Sequence, residues 1–191
     1  MSTPHRRALV TGGNRGIGLA IAAGLKRAGM EVVIGARDPA AGRRAAAQLG
    51  VEWVTLDVSR RESIEAAVAA AGEVTVLINN AGVLGHRSML EDAAGFEEAM
   101  AVMVHGPYHL IRCTAPAMRR AGFGRIVNVS SGWGVFSEGL GGPGAYVVAK
   151  AALNALTCAM VRDLPRTVKI NAMCPGLSLI HISEPTRRPI I

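Results

Sequence analysis

Short apolar runs bounded by Gly, Asp and Asn alternate along this chain with Ala-rich stretches, the pattern of a parallel sheet covered by helices on both faces. The spacing predicts strands over Arg7–Thr11, Glu31–Ala36, Glu52–Leu56, Val74–Asn79, Arg125–Ser130 and Val168–Met173. It predicts helices over Gly16–Ala28, Pro39–Leu49, Ser59–Ala71, Gly95–Ala121 and Ala145–Asp163. With 191 residues, half of them apolar, the chain can bury one sizeable core, and no apolar run is long enough to span a membrane. One doubly wound α/β domain is therefore expected, without internal repeat or linker. Composition changes after Gly176, where Leu177 to Ile191 carries two prolines, Arg187-Arg188 and no readable periodicity.

The first predicted strand runs into Thr11-Gly12-Gly13-Asn14-Arg15-Gly16-Ile17-Gly18 and straight on into a helix. Glycines at 12, 16 and 18 allow a tight turn, let backbone approach a pyrophosphate and bring helix against strand. The helix N-terminus adds N–H groups and a partial positive charge. In this strand–turn–helix setting the glycines point to a dinucleotide site, with Asn14, Arg15 and Ile17 beside them at the cofactor. Which dinucleotide is decided near the end of the second strand, where an acidic side chain would accept from ribose hydroxyls and repel a 2′-phosphate. Here the chain has Ala36 followed by Arg37, and Arg15 can approach the same phosphate from the turn. NADP(H) is the predicted cofactor and NAD(H) the less favoured one; Asp38 would favour the latter if it lay nearer the ribose.

A formal net charge of +7 raises a nucleic-acid reading, but the basic doublets Arg6-Arg7, Arg43-Arg44, Arg60-Arg61 and Arg119-Arg120 are scattered and stacking aromatics are scarce. A solvated basic surface is expected, with no nucleic-acid or membrane partner. The first residues lack the apolar stretch of a secretory signal, so the expected location is cytoplasmic. Cys113, Cys158 and Cys174 are odd in number and lie in apolar stretches, which predicts reduced core thiols and neither disulfide nor metal site.

Read in order, Thr11-Gly12-x-x-x-Gly16-x-Gly18, Asp57-Val58, Asn79-Asn80-Ala81-Gly82, Ser130-Ser131, Tyr146-x-x-x-Lys150 and Pro175-Gly176 resemble the classical short-chain dehydrogenase/reductase family over nearly all of 7–176. The resemblance implies a Rossmann-like sheet and the transfer of a hydride between a nicotinamide cofactor and a small carbonyl or secondary alcohol. It implies that Asp57 bonds the adenine amino group and that Val58 supplies a backbone contact. Asn79, Asn80, Ala81 and Gly82 would line the cofactor, and Pro175-Gly176 would lie against the nicotinamide. A homo-oligomer is implied too, with the helices over 95–121 and 145–163 as interface candidates.

The chemistry also follows from the residues. Reducing a carbonyl with a hydride leaves an alkoxide to be protonated, and a phenol serves if its anion is stabilised. Tyr146 and Lys150, four apart, share one face of a helix, so the ammonium is placed to lower the tyrosine pKa and hold the nicotinamide ribose. Ser131 would hydrogen-bond the substrate oxygen. These three residues are the catalytic candidates.

Two departures from the family pattern stand out. Met103 occupies the position where the family has a hydrogen-bonding Asn, three residues before Gly106, and a thioether is a poor replacement in a proton relay. His105, two residues on, points about 200° away on an α-helix and does not take over that direction. Met103 is expected to fill core space. After Gly176 neither the family's substrate segment nor its last strand is recognisable, and residues 177–191 resemble a foreign tail. That leaves the Val168–Met173 strand with an open edge. The alternative to turnover is a catalytically impaired fragment or sensor that binds NADP(H) through the same pocket.

Overall fold

The structure, a computed structural model, describes residues 6–85 and 88–176; the predicted foreign tail, residues 177–191, lies outside them. Six parallel strands form one sheet: β1 (Arg7–Thr11), β2 (Glu31–Ala36), β3 (Glu52–Thr55), β4 (Val76–Asn79), β5 (Gly124–Val129) and β6 (Val168–Met173). Their order is β3-β2-β1-β4-β5-β6, so the chain reverses direction across the sheet between β1 and β4. In open α/β sheets that switch point opens a crevice at the carboxyl ends of the strands. Helices α1 (Gly16–Arg27), α2 (Pro39–Leu49) and α3 (Arg61–Ala71) connect the first four strands, and α4 (Ala93–Met100), α5 (Gly106–Arg120) and α6 (Gly144–Met160) serve the rest.

Both faces of the sheet are buried, as the strands' composition requires. One layer gathers Leu9, Val33, Leu77 and Ile126 with residues of α3, α5 and α6, and the other gathers Ala8, Val10, Ile34 and Ile78 with α1 and α2. Alternate residues of β1 therefore point to opposite cores. Local chemistry sets the ends of α2: Asp38 accepts from the Ala40 and Ala41 amides ahead of Pro39, and Gly50 closes the helix at φ 62°. Among the described residues β6 is an edge strand, with Asn171, Ala172 and Met173 exposed. No helix among them is long and apolar enough to cross a membrane.

Two expectations need correction. The predicted helix over Gly95–Ala121 is broken by a π-helical segment at Ala101–His105. Pro107 explains it: proline has no N–H for the Met103 carbonyl four residues back, and its ring crowds that carbonyl. The backbone widens, and the Gly106 amide donates to the Ala101 carbonyl instead. The cysteines are not core residues as a set. Cys113 is half-buried, whereas Cys158 faces outward on α6 and Cys174 is exposed just past β6.

Candidate active site

Thr11, at the end of β1, ties the crevice together. Its buried hydroxyl accepts from the Asn80 and Ala81 amides, both at 2.9 Å, and Asn80 Nδ2 donates back to the Thr11 carbonyl at 2.9 Å. The β1 and β4 exits are thereby clamped side by side at the switch point. Gly12 and Gly16 turn the chain into α1 with φ of 63° and 54°, values costly for a side-chain-bearing residue. A methyl on Gly13 would stand 2.7 Å from Ile34 Cγ2, so the turn lies directly on β2.

Below this turn lies a cleft of about 970 Å³. It is lined by Gly12, Asn14, Arg15, Gly16, Ile17 and Gly18, by Arg37 and Asp38, by Asp57 and Val58, and by Asn80, Ala81 and Gly82. The sequence-predicted cofactor residues are thus largely brought together. A methyl on Gly16 would meet no protein atom within 4 Å, so the turn opens on free space. The residues present fit an extended dinucleotide: a glycine cradle at a helix N-terminus, two arginines in the lining and apolar side chains at Val58 and Ala81. Asp38 borders the cleft, but its carboxylate is engaged as the α2 cap. The Asp57 carboxylate is held below its usual range, first by the Ser59 hydroxyl that donates at 2.6 Å, with Arg37 and Arg60 adding to the effect.

Asn79 behaves differently from its three successors. Thr157 gives its proton to the Leu153 carbonyl at 2.7 Å and so accepts from Asn128 Nδ2 at 2.8 Å. Asn128 Oδ1 is then left to accept from Asn79 Nδ2, at 2.8 Å. This polarity leaves Asn79 Oδ1 buried with no partner among the described residues. The Asn79 amide thus belongs to an interior chain joining β4, β5 and α6. Pro175 and Gly176 follow β6, Gly176 at φ 75°, outside the residues lining the cleft.

Ser131, Tyr146 and Lys150 meet beyond the end of β5. Lys150 is buried, and its Nζ donates to the Val129 carbonyl at 2.6 Å. Burial pulls its pKa down to about 8. Tyr146 is half-buried, and desolvation raises its phenol above the ordinary value although a hydrogen bond with Ser131 works the other way. The ammonium lies 5.5 Å from the phenol ring centre and spends its close contact on Val129, so the predicted lowering of the tyrosine by the lysine is not the balance reached here.

Several neighbours carried no sequence signal. A methyl on Gly134 would stand 2.7 Å from Lys150 Cβ, so only glycine lets the turn after Ser131 lie on α6. Asn154 Nδ2 donates to the Gly134 carbonyl at 3.0 Å, and its Oδ1 accepts from Ser130 at 2.6 Å. Cys174 Sγ accepts from the Gly132 amide at 3.2 Å, fastening the same turn to the end of β6. Met103 is fully buried and packs towards Gly82, whose added methyl would stand 3.5 Å from its sulfur; His105 is exposed.

Comparison with known proteins agrees with this geometry. The family described as short chain dehydrogenase matches residues 6–189. The 2-(S)-hydroxypropyl-CoM dehydrogenase 3 of Xanthobacter autotrophicus is 36% identical over 87% of this chain and 69% of its own length. Galactitol 2-dehydrogenase (L-tagatose-forming) of Cereibacter sphaeroides is 34% identical over 88% and 70%. A metagenomic short-chain oxidoreductase solved with NADP superposes with a TM-score of 0.79 at 34% identity, over 90% of this chain and 82% of that one. An alcohol dehydrogenase from Thermococcus sibiricus, complexed with 5-hydroxy-NADP, does so with a TM-score of 0.80 at 31% identity, over 90% and 76%. Sheet order, glycine cradle and matched length together place the chain in the short-chain dehydrogenase family of nicotinamide-dependent oxidoreductases.

Proposed function

We propose that this chain is an NADP(H)-dependent oxidoreductase acting on a small carbonyl or secondary alcohol, with Tyr146 as proton donor and acceptor. The observation that carries the reading is the convergence of Ser131, Tyr146 and Lys150 past the end of β5. The bound nicotinamide supplies or accepts the hydride. Tyr146, kept neutral by burial, holds the proton that a carbonyl oxygen needs on reduction. Ser131 donates to that oxygen, and Lys150 places a positive charge beneath the site from its anchor on Val129. Turnover is favoured over a sensor role because the named relatives are dehydrogenases.

Arg15 and Arg37 at the cleft, with Asp38 drawn into the α2 cap, support NADP(H) over NAD(H). Asp57, Val58, Asn80, Ala81 and Gly82 are assigned to the cofactor as its cleft wall, and Pro175-Gly176 to its nicotinamide end. Tyr108 on α5, Val148 on α6 and Val161 just past the end of α6 are exposed and make those helices candidates for self-association. Titration with NADPH and NADH, followed by cofactor fluorescence, tests the cofactor; binding of NADPH about tenfold or more tighter is expected. Equal affinities would refute the choice of NADP(H), and no NADPH oxidation across a carbonyl panel would refute the reductase.

A further inference from the structure

Exposed large apolar side chains concentrate on two connections. Leu84, Met89 and Leu90 lie between β4 and α4, and Trp133 and Phe136 between β5 and α6; Leu90 is 98% exposed and Phe136 79%. Both connections leave the same end of neighbouring strands, and both come down on the start of α6. A methyl on Gly142 would meet the Trp133 indole at 2.6–3.0 Å, and one on Gly144 would meet the Met89 side chain at 2.9–3.1 Å. Trp133 also stands edge-on to the Tyr146 ring, with centroids 6.1 Å apart at 84°. Indole and thioether are therefore seated on the two glycines just before Tyr146, each still partly open to solvent.

From this arrangement we infer that the site takes carbonyl compounds bearing an aromatic or similarly bulky apolar substituent. The inference rests on the reading of Tyr146 as proton donor. A carbonyl oxygen held by Ser131 and Tyr146 puts the groups on its carbon over Trp133 and Met89. A ring there gains aromatic contact with the indole, while methionine adapts to its outline.

The test is binding of para-fluoroacetophenone to the NADPH-loaded 191-residue chain, read by fluorine NMR, with dihydroxyacetone titrated against it as a small polar competitor. The aryl ketone is expected to bind at least about tenfold more tightly than dihydroxyacetone. Trp133→Ala should weaken it about tenfold and Trp133→Phe less than about threefold, since phenyl keeps an aromatic surface. No binding, or binding indifferent to Trp133→Ala, overturns the inference, and so does a Phe136→Glu variant that changes only the sedimentation of the chain, which would make the patch a contact between copies. Aryl-ketone binding through Trp133 without any hydride exchange would instead refute the oxidoreductase assignment of Tyr146 while leaving the apolar site standing. Reduction of dihydroxyacetone in preference to the aryl ketone would do the reverse.

Discussion

Lys150 Nζ lies 2.6 Å from the carbonyl oxygen of Val129, so the ammonium beneath Tyr146 is fastened to the last residue of β5. One charge-assisted hydrogen bond fixes its position, but the surrounding burial still disfavours the charge. The result is a lysine whose pKa falls from 10.5 to about 8.

Stability should therefore depend on pH through this residue. Between about 8 and 10.5 the unfolded chain holds a proton that the folded chain has lost, so stability rises with pH across that window. Below about pH 8 both states hold the proton, and the folded state bears the cost of the buried charge. Relative to Lys150→Met, the unsubstituted chain should gain on the order of 2 kcal/mol between pH 7 and 10. Denaturant midpoints of the two proteins at both pH values check it; parallel curves would place the ammonium in a solvated setting.

Tyr146→Phe should leave NADPH binding within about twofold and lower turnover by about 10²–10⁴, because the ring and its packing on Trp133 stay while the acid goes. Single-turnover reduction alongside a cofactor titration separates the two effects. Turnover that survives the substitution would identify a different proton donor.

Much of this arrangement could be read from the sequence, for identifiable reasons. The β1, β2 and β6 boundaries coincide with the predicted ones because Gly, Asp and polar residues bracket their apolar runs. Tyr146 and Lys150 announce themselves by a four-residue spacing that any helix converts into proximity. The lysine's partner does not, since the Val129 carbonyl comes near only through the packing of α6 against β5. Thr11 is similar: its hydroxyl matters because β4 lies beside β1, an adjacency sequence order alone does not state. The π segment escaped because periodicity continued through it, and Pro107 acts on a carbonyl four residues earlier. Cys174 has the apolar neighbours in sequence that suggest a core thiol, yet β6 has already reached its exposed end there.

Arg37→Asp should shift cofactor preference towards NADH. The side chain borders the cleft and lowers the Asp57 carboxylate pKa through its charge, so reversing that charge removes a phosphate partner and adds repulsion. A fall of about tenfold or more in the ratio of NADPH to NADH affinity is expected. An unchanged ratio would leave Arg15 as the phosphate ligand and Arg37 as a surface residue.

Gly134→Ala should damage the catalytic end of the site while sparing the cofactor cleft. Gly134 is buried, and an added methyl would press on Lys150 Cβ at 2.7 Å, Lys150 C at 2.8 Å and Ala151 N at 2.9 Å. Backbone and side-chain stem cannot swing aside, so the turn or α6 has to shift. The turn begins at Ser131, whose hydroxyl accepts from the Trp133 amide at 3.3 Å, and the Gly134 carbonyl is bonded to Asn154. Displacement therefore moves Ser131 relative to Tyr146 and strains the Asn154 link together. Overpacking of this kind costs about 1–3 kcal/mol, and a misplacement approaching 1 Å costs about 10²-fold in rate. NADPH affinity should stay within about threefold, because Gly134 lies outside the residues lining that cleft. Gly141→Ala on the same connection is the control: an added methyl there meets no atom within 4 Å, and its stability change should stay within about 0.5 kcal/mol. Thermal midpoints and turnover of both variants decide the matter, and a Gly134→Ala protein as stable and active as Gly141→Ala would show that the turn does not need its close approach to Lys150.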